Sequence, residues 1–313
     1  MKIIFMGTPD FAVQTLEALL DAGHQVVLAV TQPDKPKGRG KAVQFSAVKT
    51  AALAHGLEVY QPKRIREPEC IAHLRTFEAD LMVVAAFGQI LPKEILEMTA
   101  YGCINVHASL LPKYRGASPI QWAVINGEQT TGVTIQQMDT GIDTGEILSK
   151  TEVPLAEDET GGSLFEKLAL AGAALCVQTI AGIQDGTATR TKQDETQATR
   201  VGMIRKQMGD IDWTKPAVMI ERLIRGLNPW PSAYTSIDGK TLKIWKAAVL
   251  PGGDGTQAGQ VLTADKNQLI VQTGEGRLSL LEVQLEGKKR MAADAFLRGY
   301  QTQAGKQLGK QEA

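Results

Sequence analysis

The sequence is short of cysteine, histidine and aromatic side chains, and it carries no excess of charge. Its three cysteines, Cys70, Cys103 and Cys176, lie far apart and form no CxxC pair. That spacing argues against a disulfide framework or a structural zinc site, and it fits a reducing, cytoplasmic setting. The 34 basic and 34 acidic residues cancel. A nucleic-acid partner would therefore have to be met by local clusters of charge rather than by overall charge. Aromatic residues make up 5% of the chain, which leaves little for base stacking. No apolar run approaches the roughly 20 residues needed to span a membrane. The amino end breaks at Gly7, too early for a signal peptide.

What is present is an ordinary globular composition, 43% hydrophobic and 22% charged, with enough apolar material for a large core. The first half alternates apolar strand runs with helical patterns. Residues 2–6 and 81–86 read as continuous buried strands. Phe11, Val13, Leu16, Leu19 and Leu20 recur at near-helical spacing, and Gly23 ends that run. Further strands are expected over 26–31, 57–60 and 103–107, with helices over 43–55, 68–77 and 92–98. The alternation implies an α/β, Rossmann-like domain with a mostly parallel sheet covered on both faces. Strands over 132–138 and 147–153 extend it in the antiparallel sense. A long apolar helix follows over 163–183, opened by a Ser163/Glu166 capping box.

Residues 186–200 are polar and read as a surface linker. Beyond them a helix over 214–225 precedes short strands with Gly turns, over 233–237, 241–249, 251–255, 259–262, 269–273 and 278–285. These predict a small antiparallel, OB-like β-barrel. A last helix over 292–300 and a frayed tail from Gln301 complete the chain. The expected organisation is a catalytic domain over 1–189, a linker over 190–206 and a C-terminal domain over 207–313.

Ligands of parallel sheets bind at the carboxyl ends of strands. Asn105 and His107 sit two apart at such an end, so their side chains share one side of the strand. A Pro- and Gly-punctuated loop over 111–116 leads away. An amide donor and an imidazole facing one spot can bind a developing oxyanion and move a proton. The alternative for His107 is a bond to a loop carbonyl. His24, His55 and His73 lie at helix ends or within a helix and read as structural. Asp139 and Asp143 each open an Asp-Thr-Gly or Asp-Thr-Gly-like turn, and spacing alone does not say which carboxylate does chemistry. The turn at Gly7, Thr8 and Pro9 lacks GxGxxG, because Pro9 holds the second glycine position. A dinucleotide pyrophosphate needs close backbone approach there, so an NAD site is not expected. Lys35, Lys37, Arg39 and Lys41 alternate with Pro and Gly, a composition that predicts a mobile basic loop. Such a loop either is simply solvated or neutralises phosphates.

Together these residues carry a family resemblance. The matching strings are Gly-Thr-Pro-Asp-Phe from Gly7, Gly-Arg-Gly-Lys from Gly38, Cys-Ile-Asn-Val-His ending at His107, and Ser-Leu-Leu-Pro from Ser109. Asp-Thr-Gly from Asp143, Gln-Asp-Glu from Gln193 and Asn-Pro-Trp-Pro from Asn228 continue them. Over essentially its whole length the chain resembles the folate-dependent formyltransferases. The basic loop and the C-terminal barrel point to the branch whose acceptor is methionyl-tRNA. The resemblance implies formyl transfer from 10-formyltetrahydrofolate to the amine of methionine on initiator tRNA, without a metal. It implies catalytic roles for Asn105, His107 and Asp143. It implies a folate site held by Ser109, Leu110, Leu111, Pro112, Phe87, Gly88, Gln89 and Ile90. It assigns tRNA contacts to Lys35, Lys37, Arg39, Lys41, Lys206 and Lys288, with no membrane and no obligate protein partner. Two competitors remain: a formyltransferase for a sugar-nucleotide or small ribonucleotide amine, and an RNA-binding module whose α/β domain is inactive. The first needs neither the basic loop nor the barrel. The second predicts that His107→Ala changes no turnover.

Overall fold

The computed structural model of the chain describes residues 1–37, 42–253, 256–265 and 267–309. By its contacts the chain forms two compact units. One consists of Met1–Pro119, Thr130–Pro154 and Phe165–Val201; the other of Ile120–Gln129, Leu155–Leu164 and the chain from Gly202 onward.

The first unit is built on β1 (Lys2–Gly7), β2 (Gln25–Val30), β3 (Lys35–Lys37), β4 (Ala42–Gln44), β5 (Val59–Tyr60), β6 (Leu81–Ala85), β7 (Cys103–His107), β8 (Arg115–Gly116), β9 (Thr130–Gln137), β10 (Ile147–Pro154) and β11 (Arg200–Val201). Seven of them form one sheet in the order β10-β9-β7-β6-β1-β2-β5. The pairs from β5 to β7 are parallel, whereas β9 and β10 run antiparallel. The central strands are apolar throughout because helices cover both faces. All five residues of β6 are buried. Each fully buried Ile, Leu or Phe contributes about 1.5–3 kcal/mol relative to exposure.

Local chemistry sets the helix starts. α1 (Asp10–Asp21) begins straight after Pro9, close behind Gly7. A Cβ on Gly7 would stand 2.6 Å from Ala12 Cβ and 3.0 Å from the Ala85 carbonyl, so only glycine allows β1, α1 and β6 to meet there. α2 (Ala47–Ala54) starts later than its apolar pattern suggests, because the Ser46 hydroxyl caps the Lys49 N–H at 3.1 Å. α3 (Pro68–Arg75), α4 (Lys93–Leu96) and α5 (Pro119–Asn126) follow. α6 (Gly161–Gln184) opens two residues before the expected box. Thr160 and Ser163 exchange bonds there, each backbone N–H donating to the other's hydroxyl at 3.0 Å, and Glu166 is not the partner. By length and composition α6 could cross a membrane, contrary to the expectation that no run is long enough; half of its apolar window is buried inside the protein.

Two expectations about loops are corrected. The basic segment is not wholly irregular: β3 pairs antiparallel with β4. The polar segment after α6 is not a passive linker either. Thr191 exchanges backbone bonds with Ile147 at 2.8 and 2.9 Å, and β11 pairs with β8.

The second unit carries α7 (Ala217–Gly226), whose buried stripe includes Ile220 and Ile224. Its antiparallel sheet contains β12 (Ala233–Ile237), β13 (Lys240–Leu250), β14 (Val261–Ala264), β15 (Leu269–Gln272) and β16 (Arg277–Leu285), in the order β12-β13-β16-β15-β14. β17 (Met291–Ala292) adds to β16, and α8 (Ala293–Gly299) follows. Among the described residues β12 and β14 do not pair, so the barrel is partly open, as OB-like sheets are. One core fills it, including Trp213, Ile220, Leu242, Leu278 and Phe296. Trp213 keeps its buried indole N–H satisfied by donating to Thr235 Oγ1 at 3.0 Å. Residues 251–253 form no strand, because Arg277 instead donates to the Pro251 carbonyl. The tail is not frayed as far as Gly309. Leu308 is buried, and backbone bonds tie Lys306 to Val261 and Gly309 to Ser236.

Candidate active site

β7 ends between β6 and β9 with the register Asn105 opposite Gln136 and His107 opposite Thr134. Residues opposite each other share a face, so four polar side chains meet at one end of the sheet. Asn105 is half-buried, and among the described residues its carboxamide makes no hydrogen bond. His107 is 6% exposed. Its Nε2 lies 3.1 Å from the Tyr114 carbonyl oxygen, and its Nδ1 lies 3.4 Å from Asp143 Oδ1. The loop-carbonyl bond expected as one alternative for His107 is present, and a carboxylate faces the ring's other nitrogen.

Asp143, not Asp139, is the carboxylate at the site. Its Oδ2 accepts from the Gly116 N–H at 2.8 Å and its Oδ1 from Gln136 Nε2 at 2.9 Å. Its φ is +53°, a left-handed conformation uncommon for residues with a Cβ, though Asp adopts it more readily than most. Asp139 is exposed and folds its own turn, accepting from the Gly141 N–H at 2.9 Å and Thr144 Oγ1 at 2.6 Å.

The loop after β7 is fixed from inside. Ser109 Oγ donates to the Lys113 carbonyl at 2.7 Å. Thr134 Oγ1 donates to the Ser109 carbonyl at 2.7 Å and accepts from the Leu111 N–H at 3.0 Å. Lys150 Nζ donates to the Leu111 carbonyl at 2.5 Å. Ser109, Leu111 and Pro112 are therefore buried parts of the loop's frame, and Leu110 is the one of the four with exposed surface.

At the end of β6, Phe87 is buried and its carbonyl accepts from Thr8 Oγ1 at 3.0 Å and Gln32 Nε2 at 3.2 Å. Gln89 turns inward, accepting from the Ile65 N–H at 2.8 Å and donating to the Pro62 carbonyl at 3.1 Å. Gly88 is exposed, and Ile90 is 77% exposed. A cleft of about 750 Å³ opens along this edge, lined by Thr8, Pro9, Gln32, Pro33, Phe45 and Ser46. A second cleft of about 590 Å³ lies at the opposite, amino end of β7, against Tyr101, Gly102 and Gln137.

Several residues at the site were given no role by the sequence, although Gln193 and Glu195 stand in one of the matching strings. Arg115 is 1% exposed and forms a bidentate pair with Glu195, at 2.9 and 2.6 Å. That pairing holds the Glu195 carboxyl below its ordinary range. Arg115 Nε also donates to Gln193 Oε1 at 3.0 Å, and Gln193 Nε2 donates to the carbonyls of Asp143 and Gly145. Burial pushes the thiols of Cys103 and Cys176 up to about 12, so neither is a nucleophile near neutral pH.

Of the expected tRNA contacts, Lys35 and Lys37 lie in β3 by their backbone. Arg39 and Lys41 fall outside the described residues. Lys206 is exposed in a short 3₁₀ turn, and Lys288 is exposed after β16. Near Lys288, Arg290 is paired with Glu282 and lies 4.9 Å over the Trp245 ring, with Lys243 at 5.5 Å from it.

The sheet ends in Asn105 and His107 with Asp143 brought in on a separate loop, and over residues 1–180 the chain matches the family described as formyl transferase, a class of group-transfer enzymes. Residues 203–301 match the formyl transferase C-terminal domain. A methionyl-tRNA formyltransferase of Agathobacter rectalis is 62% identical over 97% of this chain and 98% of its own. One from Lachnospira eligens is 56% identical over 99% of this chain and 100% of its own. The chain belongs to the methionyl-tRNA formyltransferase family. An N-formyltransferase of Helicobacter canadensis, solved with folinic acid and dTDP-3-aminofucose, shares the fold at a TM-score of 0.65 and 21% identity, over 90% of this chain and 98% of that one.

Proposed function

We propose that this chain transfers the formyl group of 10-formyltetrahydrofolate to the α-amine of methionine esterified to initiator tRNA, using Asn105, His107 and Asp143. The observation that carries the assignment of residues is the unpaired Asn105 carboxamide beside the His107–Asp143 contact. The amine attacks the formyl carbon, and a C–N bond forms. The formyl oxygen becomes negative in the tetrahedral intermediate, and Asn105 Nδ2 donates to it. The C–N10 bond then breaks as N10 gains a proton and the amine loses one. The His107–Asp143 pair takes and returns that proton. Gly116 N–H and Gln136 hold the carboxylate in place for it.

The folate lies along the exposed edge from Ala86 to Ile90, shaped by the loop through Leu110. The acceptor end enters the cleft at Thr8, Gln32 and Phe45, beside the ribbon that carries Lys35 and Lys37. Lys206 and Lys288, on the second unit, meet phosphates. The reading needs no membrane and no protein partner, and it places the enzyme in the cytoplasm. The test is a formyl-transfer assay with charged initiator and elongator methionyl-tRNA, with Asn105→Ala alongside. Formylation of the initiator by wild type and its loss in the variant is expected. Equal rates for wild type and Asn105→Ala would overturn the assignment.

A further inference from the structure

We propose that Gln193 is a positioning residue for the transfer, holding the backbone that aims Asp143 at His107. The proposal rests on the reading of Asp143 as a member of the catalytic set. Asp143 stands in a left-handed conformation on an Asp-Thr-Gly turn. Such a conformation is less favourable for a residue with a Cβ, and hydrogen bonds to the turn help to hold it. Gln193 Nε2 donates to the carbonyls on either side of the carboxylate's own loop, Asp143 at 2.9 Å and Gly145 at 2.7 Å. Its Oε1 accepts from Arg115 Nε at 3.0 Å.

That side chain therefore uses both faces of its amide. Two acceptors must be met by donors, and one donor by an acceptor, within one planar group. Only a carboxamide supplies both. Glutamate would keep the bond to Arg115 but turn a carboxylate oxygen toward two carbonyls. Methionine would fill the space and supply neither bond.

The same stretch of chain fixes the other side of the pair. Thr199 Oγ1 accepts from the Tyr114 N–H at 2.8 Å, and the Thr199 carbonyl accepts from the Arg115 N–H at 2.9 Å. Tyr114 supplies the carbonyl that His107 Nε2 faces, and Gly116 supplies the N–H that Asp143 accepts. A Cβ on Gly116, whose φ is +102°, would stand 2.5 Å from the Val201 carbonyl, so the strap lies directly against this loop. The histidine reaches the strap in two bonds, through Tyr114, and Gln193 is the side chain in the strap that bonds the carboxylate's own turn directly. A displacement of about 1 Å at such a pair costs on the order of 100-fold in rate.

The experiment measures kcat and KM for both substrates in Gln193→Met, Gln193→Glu, Asp143→Ala and the double variant Gln193→Met/Asp143→Ala. Binding of charged tRNA confirms that each variant is folded. Expected are a kcat loss of about 30- to 100-fold in both Gln193 variants and KM values within about threefold of wild type. The double variant should be no slower than Asp143→Ala, because Gln193 acts through that carboxylate. Wild-type kcat in Gln193→Glu, or multiplying losses in the double variant, would overturn the proposal while leaving Asp143 in its role. A wild-type rate in Asp143→Ala would instead remove the reading on which the proposal stands, and the proposal with it.

Discussion

The Nε2 of His107 lies 3.1 Å from the carbonyl oxygen of Tyr114, seven residues further along the chain. A carbonyl only accepts, so that nitrogen carries a hydrogen. The ring's other nitrogen faces a carboxylate. The carboxylate and the peptide oxygen together keep the imidazole from turning. Replacing His107 by Ala is expected to lower kcat by about 100- to 10,000-fold and leave tRNA affinity nearly intact. Steady-state kinetics beside filter binding separates the two. A variant that loses tRNA binding in step with turnover would make His107 a structural residue.

Asn105→Ala removes a carboxamide donor that makes no hydrogen bond among the described residues. A loss of one such donor costs about 100-fold or more in rate. The effect should fall on kcat with little change in either KM. Asn105→Asp keeps the shape and removes the donor, so it should be equally slow in the same assay.

Acid should loosen the Arg115–Glu195 pair in a defined window. The Arg115 hydrogen bonds lower the Glu195 carboxyl below its ordinary 4.5. A carboxylate with a depressed folded value stabilises the fold above its unfolded value, and that contribution fades as pH falls through the folded one. Melting temperatures of wild type and Glu195→Gln should differ by a constant amount near neutrality. The gap should begin to close just below pH 4.5 and vanish at lower pH. A gap that is unchanged down to the acid limit would mean the pair contributes nothing through charge.

Gly7→Ala places a Cβ 2.6 Å from Ala12 Cβ, and backbone at 3.0 Å leaves it no way out. Overpacking of this kind costs about 1–3 kcal/mol. Urea unfolding should show it as a lower midpoint with an unchanged slope.

Exposed Lys206 and Lys288 are expected to act through phosphates. Substituting both by Ala should raise KM for tRNA, and each lost contact should flatten the slope of log K against log salt by about 1. An unflattened slope takes these lysines out of the interface.

The strands and the Asn105–His107 pair were legible in the sequence because period-two spacing fixes which side chains share a face. Most of the sheet was legible for the same reason that it is buried, since apolar runs have few other uses. Asp143 was not separable from Asp139 by spacing, since both make turns and only the return of the loop to Gly116 distinguishes them. Gln193 stood in a matching string, but its role was not legible, because its partner Asp143 lies 50 residues away and polar segments show no periodicity. The late start of α2 was decided by one hydroxyl, Ser46, within an apolar pattern that runs on past it. The tail from Gln301 has a composition typical of a loose end, and as far as Gly309 it is held by backbone bonds that composition does not encode.

The pairing of β8 with β11 also sets where the protein can be cut. A fragment ending at Gln184, after α6, would retain Asn105, His107 and Asp143. It would lack Gln193, Glu195, Thr199 and Val201. Such a piece would carry the three proposed catalytic residues without the bonds that hold Asp143 and the loop at Tyr114, and it is expected to turn over poorly. The shortest active fragment of the sheet unit should therefore end no earlier than Val201, and adding residues 185–201 back as a peptide should restore part of the lost rate.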